Sequence, residues 1–145
     1  MSVKNITVEN SDDLNLFLIN AGDSLTTFRY FSSRPVSVLS NHLTTVLLYE
    51  NELPIGYGHL DRDGETIWLG ICIRQDKKNK GYGKLVMNKL IIDACENKVP
   101  IIKLSVDKGN VDAISLYDKF GFKNCNEIKP GVLLMTLNMS SELNE

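Results

Sequence analysis

The chain has 145 residues, 43% hydrophobic and 23% charged, with a net charge of -2. That length suits one domain with one core, and the composition is that of an ordinary globular protein. A net acidic balance excludes a general nucleic-acid binder, and no apolar run reaches the roughly 20 residues of a membrane-spanning helix.

The first residues lack the apolar core of a signal peptide, which predicts a cytoplasmic protein. Residues 3–8 alternate enough for an edge strand. Ser11-Asp12-Asp13 is a cap signal ahead of Leu14, Phe17 and Leu18, so a helix follows, and Ala21-Gly22-Asp23 breaks it. Residues 24–31 read as a second short helix or turn that closes near Arg34-Pro35. Residues 43–49 are an apolar, β-branched strand, Asn51-Glu52 is a turn, and residues 53–61 are the next strand. Arg62-Asp63-Gly64 is a tight hairpin turn leading into a third strand over 65–73.

Beyond Lys78-Asn79-Lys80-Gly81-Tyr82-Gly83-Lys84, the residues Leu85, Val86, Leu90, Ile91, Ala94 and Cys95 recur at helical spacing. That helix ends near Glu96-Asn97, before Pro100. Residues 101–106 form a strand. Asn110 caps a helix over 111–120, which Gly121 stops. Residues 122–125 and 132–137 are the last two strands, and 139–145 are a polar, frayed tail. The order predicts a single α/β (α+β) domain over 1–145. Its mixed sheet is mostly antiparallel, with one right-handed parallel strand–helix–strand crossover and helices on both faces.

Three cysteines, Cys72, Cys95 and Cys125, sit in apolar contexts and read as reduced core residues. The two histidines, His42 and His59, give no metal-ligand spacing, so no metal is expected. A nucleophilic Cys72–His59 pair is discounted. If the hairpin pairs Leu60 with Ile67, the two lie four strand positions apart, roughly 13 Å at about 3.3 Å per residue.

The glycine turn carries the chemistry. Glycines let backbone N–H groups approach an anion, and a helix N-terminus offers unpaired donors and the positive end of its dipole. Residues 78–84 therefore read as a phosphate cradle or, more blandly, as a tight turn with solvated lysines. A dinucleotide fingerprint would need a third glycine where Val86 stands, and no Gly-Lys-Ser/Thr completes a Walker loop.

The chain resembles the GCN5-related N-acetyltransferase (GNAT) family over nearly its whole length. The resemblance rests on an apolar strand ending at Ile73 followed by Lys78-Asn79-Lys80-Gly81-Tyr82-Gly83. It rests also on Asn110, Ala113, Leu116-Tyr117 and Gly121-Phe122 one strand and one helix later. The chain departs from the family in having Lys78 in place of Gln or Arg, and Asn79 in place of a frequent Gly. It also lacks the glutamate that many relatives carry on the strand before the turn. Lysine keeps the charge without arginine's fork, and asparagine tolerates unusual backbone angles.

The resemblance implies transfer of an acetyl group from acetyl-CoA to a primary amine, by direct attack in a ternary complex. It implies that Lys78, Asn79, Lys80, Gly81, Tyr82, Gly83 and Lys84 hold the pyrophosphate. Ile71, Cys72 and Ile73 would run beside the pantetheine arm, and one of their N–H groups would face the oxyanion. Asn110 would touch the same arm besides capping its helix. Tyr117 would give a proton to the leaving thiolate, although helical spacing alone makes it a core residue beside Ala113 and Phe120.

His59 is the first choice of general base, followed by Asp61 and Glu65, with ordered water as the alternative. The acceptor pocket would be lined by Phe28, Tyr30, Arg34 and Trp68. Aromatics mixed with arginines suit a flat or acidic substrate, or are ordinary core residues with exposed arginines. A small-molecule or peptide amine is the expected partner of a monomer or homodimer, with neither nucleic acid nor membrane. The rival readings are transfer of a different acyl group and a non-catalytic coenzyme A sensor.

Overall fold

A computed structural model describes residues 1–139, apart from the Cys125 side chain. Seven strands form one sheet in the order β1-β2-β3-β4-β5-β7-β6. They are β1 (Ser2–Asn5), β2 (His42–Glu50), β3 (Leu53–Asp63), β4 (Thr66–Ile73), β5 (Ile101–Asp107), β6 (Lys123–Lys129) and β7 (Val132–Asn138). The neighbours pair antiparallel except β4 and β5, which are parallel. Three α-helices complete the fold, α1 (Asp12–Asn20), α2 (Tyr82–Glu96) and α3 (Val111–Lys119). The mixed sheet and its single parallel crossover are as the element order predicts.

Each helix lies where its apolar stripe finds a sheet face. On α2, Val86, Met87, Leu90 and Ala94 are fully buried at helical spacing and pack with Ile55, Leu60 and Leu69. On α1, Leu14 and Phe17 bury against Leu47, Tyr57 and Cys72 on the opposite face. Burying one such side chain contributes about 1.5–3 kcal/mol, so these stripes fix the helices to the sheet. α3 adds Tyr117, Ala113, Ile114 and Leu116 to the α2 side. Asn110 caps α3 by accepting a hydrogen bond from the Ala113 N–H at 3.4 Å.

Several local expectations are corrected. β1 ends at Asn5, and Val8–Asn10 is a 3₁₀ turn. The segment between α1 and β2 folds into three 3₁₀ turns, Gly22–Thr26, Tyr30–Ser32 and Val36–Asn41. The β3–β4 turn lies one residue later than expected. Asp63 pairs with Thr66 around a Gly64-Glu65 turn, so Leu60 faces Leu69 and His59 faces Gly70. That register brings His59 and Cys72 two positions apart instead of four. β6 reaches Lys129 rather than ending at 125. Met139 is fully buried and its N–H donates to the Pro100 carbonyl at 2.7 Å, so it belongs to the domain, not to a tail. The rest of the expected tail, 140–145, and the expected burial of Cys125 lie outside the described residues.

Candidate active site

β4 and β5 pair only at their starts, Ile67 with Ile102 and Trp68 with Lys103. Beyond Trp68 the strands part, and the edge of β4 up to Ile73 has no strand beside it. Unpaired backbone N–H and C=O groups in such a gap seek a partner. Two abutting cavities fill the gap, of about 420 Å³ and about 740 Å³. Both are bounded by Ile71, Asn110, Ala113 and Tyr117, with Phe28 as a common wall.

The first cavity runs from Ile71, Cys72 and Ile73 to the start of α2. Asn79 has φ 62° and Gly81 φ 85°, so two left-handed residues turn the chain into the helix. Glycine adopts that region freely and asparagine better than most residues. The sequence therefore builds the turn at Asn79 without the glycine frequent in the family. Gly81, Gly83 and Lys84 line the cavity at the first turn of α2, where N–H groups have no helical partner. A Cβ on Gly83 would sit 3.0 Å from Leu116 Cδ2, so this glycine lets α2 and α3 approach.

Cations surround this end unequally. Glu50 accepts from Lys77 Nζ at 2.5 Å and from the Tyr82 hydroxyl at 2.9 Å, and these two donors hold its carboxyl below the usual range. Lys77 and the Tyr82 hydroxyl are thus committed to Glu50. Lys78, Lys84 and Lys119 line the cavity without a recorded ion pair among the described residues. Lys80, expected in the cradle, is exposed and lies outside the lining. Lys119 was not expected there. It lies one helical turn beyond Leu116 on the lining face of α3, so helical spacing on α3 was the signal that could have found it.

Tyr117 is 7% exposed, with its ring 5.9 Å from that of Phe122. Among the described residues its hydroxyl has no hydrogen bond, and no fully buried side-chain oxygen there goes without one. The oxygen therefore opens on the cleft that Tyr117 lines. Burial, and to a lesser extent Cys72, hold the phenol well above its usual pKa, so it stays protonated. Cys72 itself is 4% exposed, and burial pushes its thiol up to about 12. A thiol with so little thiolate is no nucleophile at neutral pH.

The second cavity lies over β3 and β4, with Tyr30, Arg34, His59, Asp61 and Trp68 in its wall. All four residues expected to bind the acceptor, Phe28, Tyr30, Arg34 and Trp68, line it. Tyr30 is the hub. Its hydroxyl donates to Asp61 Oδ2 at 2.8 Å and lies 2.7 Å from His42 Nε2, and the Arg34 guanidinium stands 4.3 Å over its ring. Glu65, a lesser candidate base, lies outside this wall.

His59 is 3% exposed, and burial holds its imidazole far below its usual pKa, so the ring is neutral. Its Nδ1 is 2.6 Å from the Tyr57 hydroxyl, which has no other recorded partner among the described residues. The two share one hydrogen bond, whose direction follows the tautomer of the imidazole. Nε2 lies over Gly70, where a Cβ would come within 2.5 Å of it. The candidate base His59 thus lines the second cavity as a buried, neutral imidazole. The sequence did not reveal the partnership with Tyr57, which spans both ends of a residue triplet on one strand face.

Two neutral histidines make stability depend on pH. Burial lowers the pKa of His42 as well as that of His59. A lowered histidine pKa means that the unfolded chain binds more protons than the folded one below about pH 6.5. Unfolding free energy should fall as pH drops from 6.5 toward 5, by up to about 1.4 kcal/mol per pH unit for each histidine. Denaturant titrations across that range check this, and a flat profile would contradict the neutral pair.

The acetyltransferase (GNAT) family model matches residues 14–122. No curated protein matches the chain. Among solved structures, the ribosomal-protein-alanine N-acetyltransferase from Brucella melitensis shares 18% identity at a TM-score of 0.73, covering 95% of this chain and 99% of that one. The PaiA N-acetyltransferase from Thermoplasma acidophilum, in complex with coenzyme A, shares 15% identity at 0.72, covering 95% and 99%. The GNAT domain of S. lividans PAT shares 14% at 0.80, covering 94% and 89%. These identities speak for the fold alone. With its family signature spanning most of its length, the chain belongs to the GNAT acetyltransferase family.

Proposed function

We propose that the protein is an N-acetyltransferase that moves the acetyl group of acetyl-CoA to a primary amine by direct attack in a ternary complex. The observation that carries this reading is the protonated, unpartnered Tyr117 hydroxyl in the gap between β4 and β5. In this reading the first cavity takes the coenzyme. Its phosphates lie on the N–H groups around Gly81, Gly83 and Lys84, with charge from Lys78 and Lys119. The coenzyme arm pairs with the free edge of β4 at Ile71, Cys72 and Ile73, and touches Asn110.

The acceptor reaches the thioester from the second cavity. Its amine nitrogen bonds to the acetyl carbon, the carbon–sulfur bond breaks, Tyr117 gives its proton to the sulfur, and the proton shed by the new amide nitrogen restores the phenol. A lysine-like amine has a pKa of about 10.4, so it must first lose a proton. Water in the second cavity carries that proton, with Asp61 as the carboxylate in the wall that can receive it. Cys72 stays outside the chemistry, so no acetyl-enzyme forms. Thiol release from acetyl-CoA with a panel of primary amines tests the reading. Amine-dependent release is expected, and release that does not depend on any amine contradicts direct transfer.

A further inference from the structure

The second cavity holds an unbalanced set of charges. Arg29 donates to both oxygens of Asp107, at 2.9 and 3.0 Å, which closes that pair. Asp61 accepts from the neutral Tyr30 hydroxyl and keeps its own charge. Of the other charged groups in the wall, Arg34, Arg62 and Lys129 have no carboxylate partner among the described residues, and Asp61 and Asp63 oppose them. Three cations therefore face two carboxylates.

Arg34 is also the best placed of them. Its Nη1 donates to the Tyr30 carbonyl at 3.0 Å, and the guanidinium lies 4.3 Å over the Tyr30 ring. The His59 ring packs 4.4 Å from the centre of the same Tyr30 ring. One tyrosine thus positions a guanidinium and a histidine that both border the cavity. Apolar Phe28, Trp68, Ile128 and Val132 share the rest of the wall with polar Thr27 and Ser105. Guanidinium pairs with carboxylate through two parallel hydrogen bonds, and a preoriented side chain loses less entropy in doing so.

We propose that the acceptor amine carries a carboxylate on an apolar skeleton, and that Arg34 over Tyr30 receives that carboxylate. The identity of the acceptor rests on the transferase reading, but the selectivity of the cavity does not. An N-acetylated amine without an acidic group leaves Arg34 unpaired, whereas the acid fills the guanidinium fork.

The test measures binding without turnover. Titration calorimetry on the full chain saturated with coenzyme A compares N-acetylphenylalanine with its carboxamide. The acid is expected to bind at least tenfold more tightly. Arg34→Gln should erase the preference, and Arg34→Lys should keep part of it, while coenzyme A binds all three proteins alike. Equal binding of acid and amide, binding of neither, or a preference that survives Arg34→Gln would each overturn the proposal. Failure of the transferase reading looks different. It shows as no binding of coenzyme A and no thiol release with any amine, whatever the acid-to-amide ratio.

Discussion

Tyr117→Phe is expected to lower kcat by roughly a hundredfold or more, the usual contribution of a positioned general acid, with acetyl-CoA affinity nearly unchanged. The substitution is clean in physical terms. Phenylalanine keeps the ring in the α3 core and its 5.9 Å contact with Phe122. The lost hydroxyl has no recorded protein partner, so no buried group is left without a hydrogen bond. Stability should therefore change little, and the loss should fall on the step in which the thiolate leaves. Steady-state kinetics and a coenzyme A titration separate the two effects. Unchanged turnover removes Tyr117 from the chemistry and gives weight to a coenzyme A sensor.

Gly83→Val should weaken coenzyme A binding by roughly a hundredfold or more. Two charge-assisted hydrogen bonds at about 1.5–3 kcal/mol each are at stake at the helix start. The first neighbour of a new Cβ is Leu116 Cδ2 at 3.0 Å, not open space. Valine adds two further methyl groups at that point, between α2 and α3, where Gly83 and Leu116 both line the first cavity. The gap narrows from the protein side, and a phosphate loses its place against the N–H groups. Valine is no worse than glycine as a helix former, so the folded state should persist. Gly83→Ala adds one methyl against a flexible leucine end and should lose much less. A folded Gly83→Val protein with normal affinity would place the phosphates elsewhere.

What the sequence made legible is what local pattern controls. The apolar stripe of α2 and the Asn110 cap follow from spacing of three to four residues, and β2 to β4 from apolar, β-branched runs between turn residues. The glycine turn was legible because backbone angles restrict its residues, and Asn79 and Gly81 do adopt the left-handed region. The site was legible in its lining but not in its wiring. Tyr30, His42 and Asp61 meet across 31 residues of chain, and no local pattern encodes their contacts. The Asp-Gly signal places the hairpin turn at Asp63-Gly64, whereas the structure turns one residue later, at Gly64-Glu65. That shift moved His59 from Trp68 to Gly70, where absence of a side chain makes room for the imidazole. Cys72 remains inert, but because its thiol is buried rather than because His59 is distant.

The central claim is that the gap between β4 and β5 binds coenzyme A. Thermal unfolding of the purified protein with acetyl-CoA, coenzyme A, NAD and ATP in parallel tests it most directly. A ligand that binds only the folded state adds about 2.7 kcal/mol of stability at a hundred times its dissociation constant. The account predicts that the unfolding temperature rises with both coenzyme A forms and stays in place with NAD and ATP. A folded protein that neither coenzyme A form stabilises would contradict it.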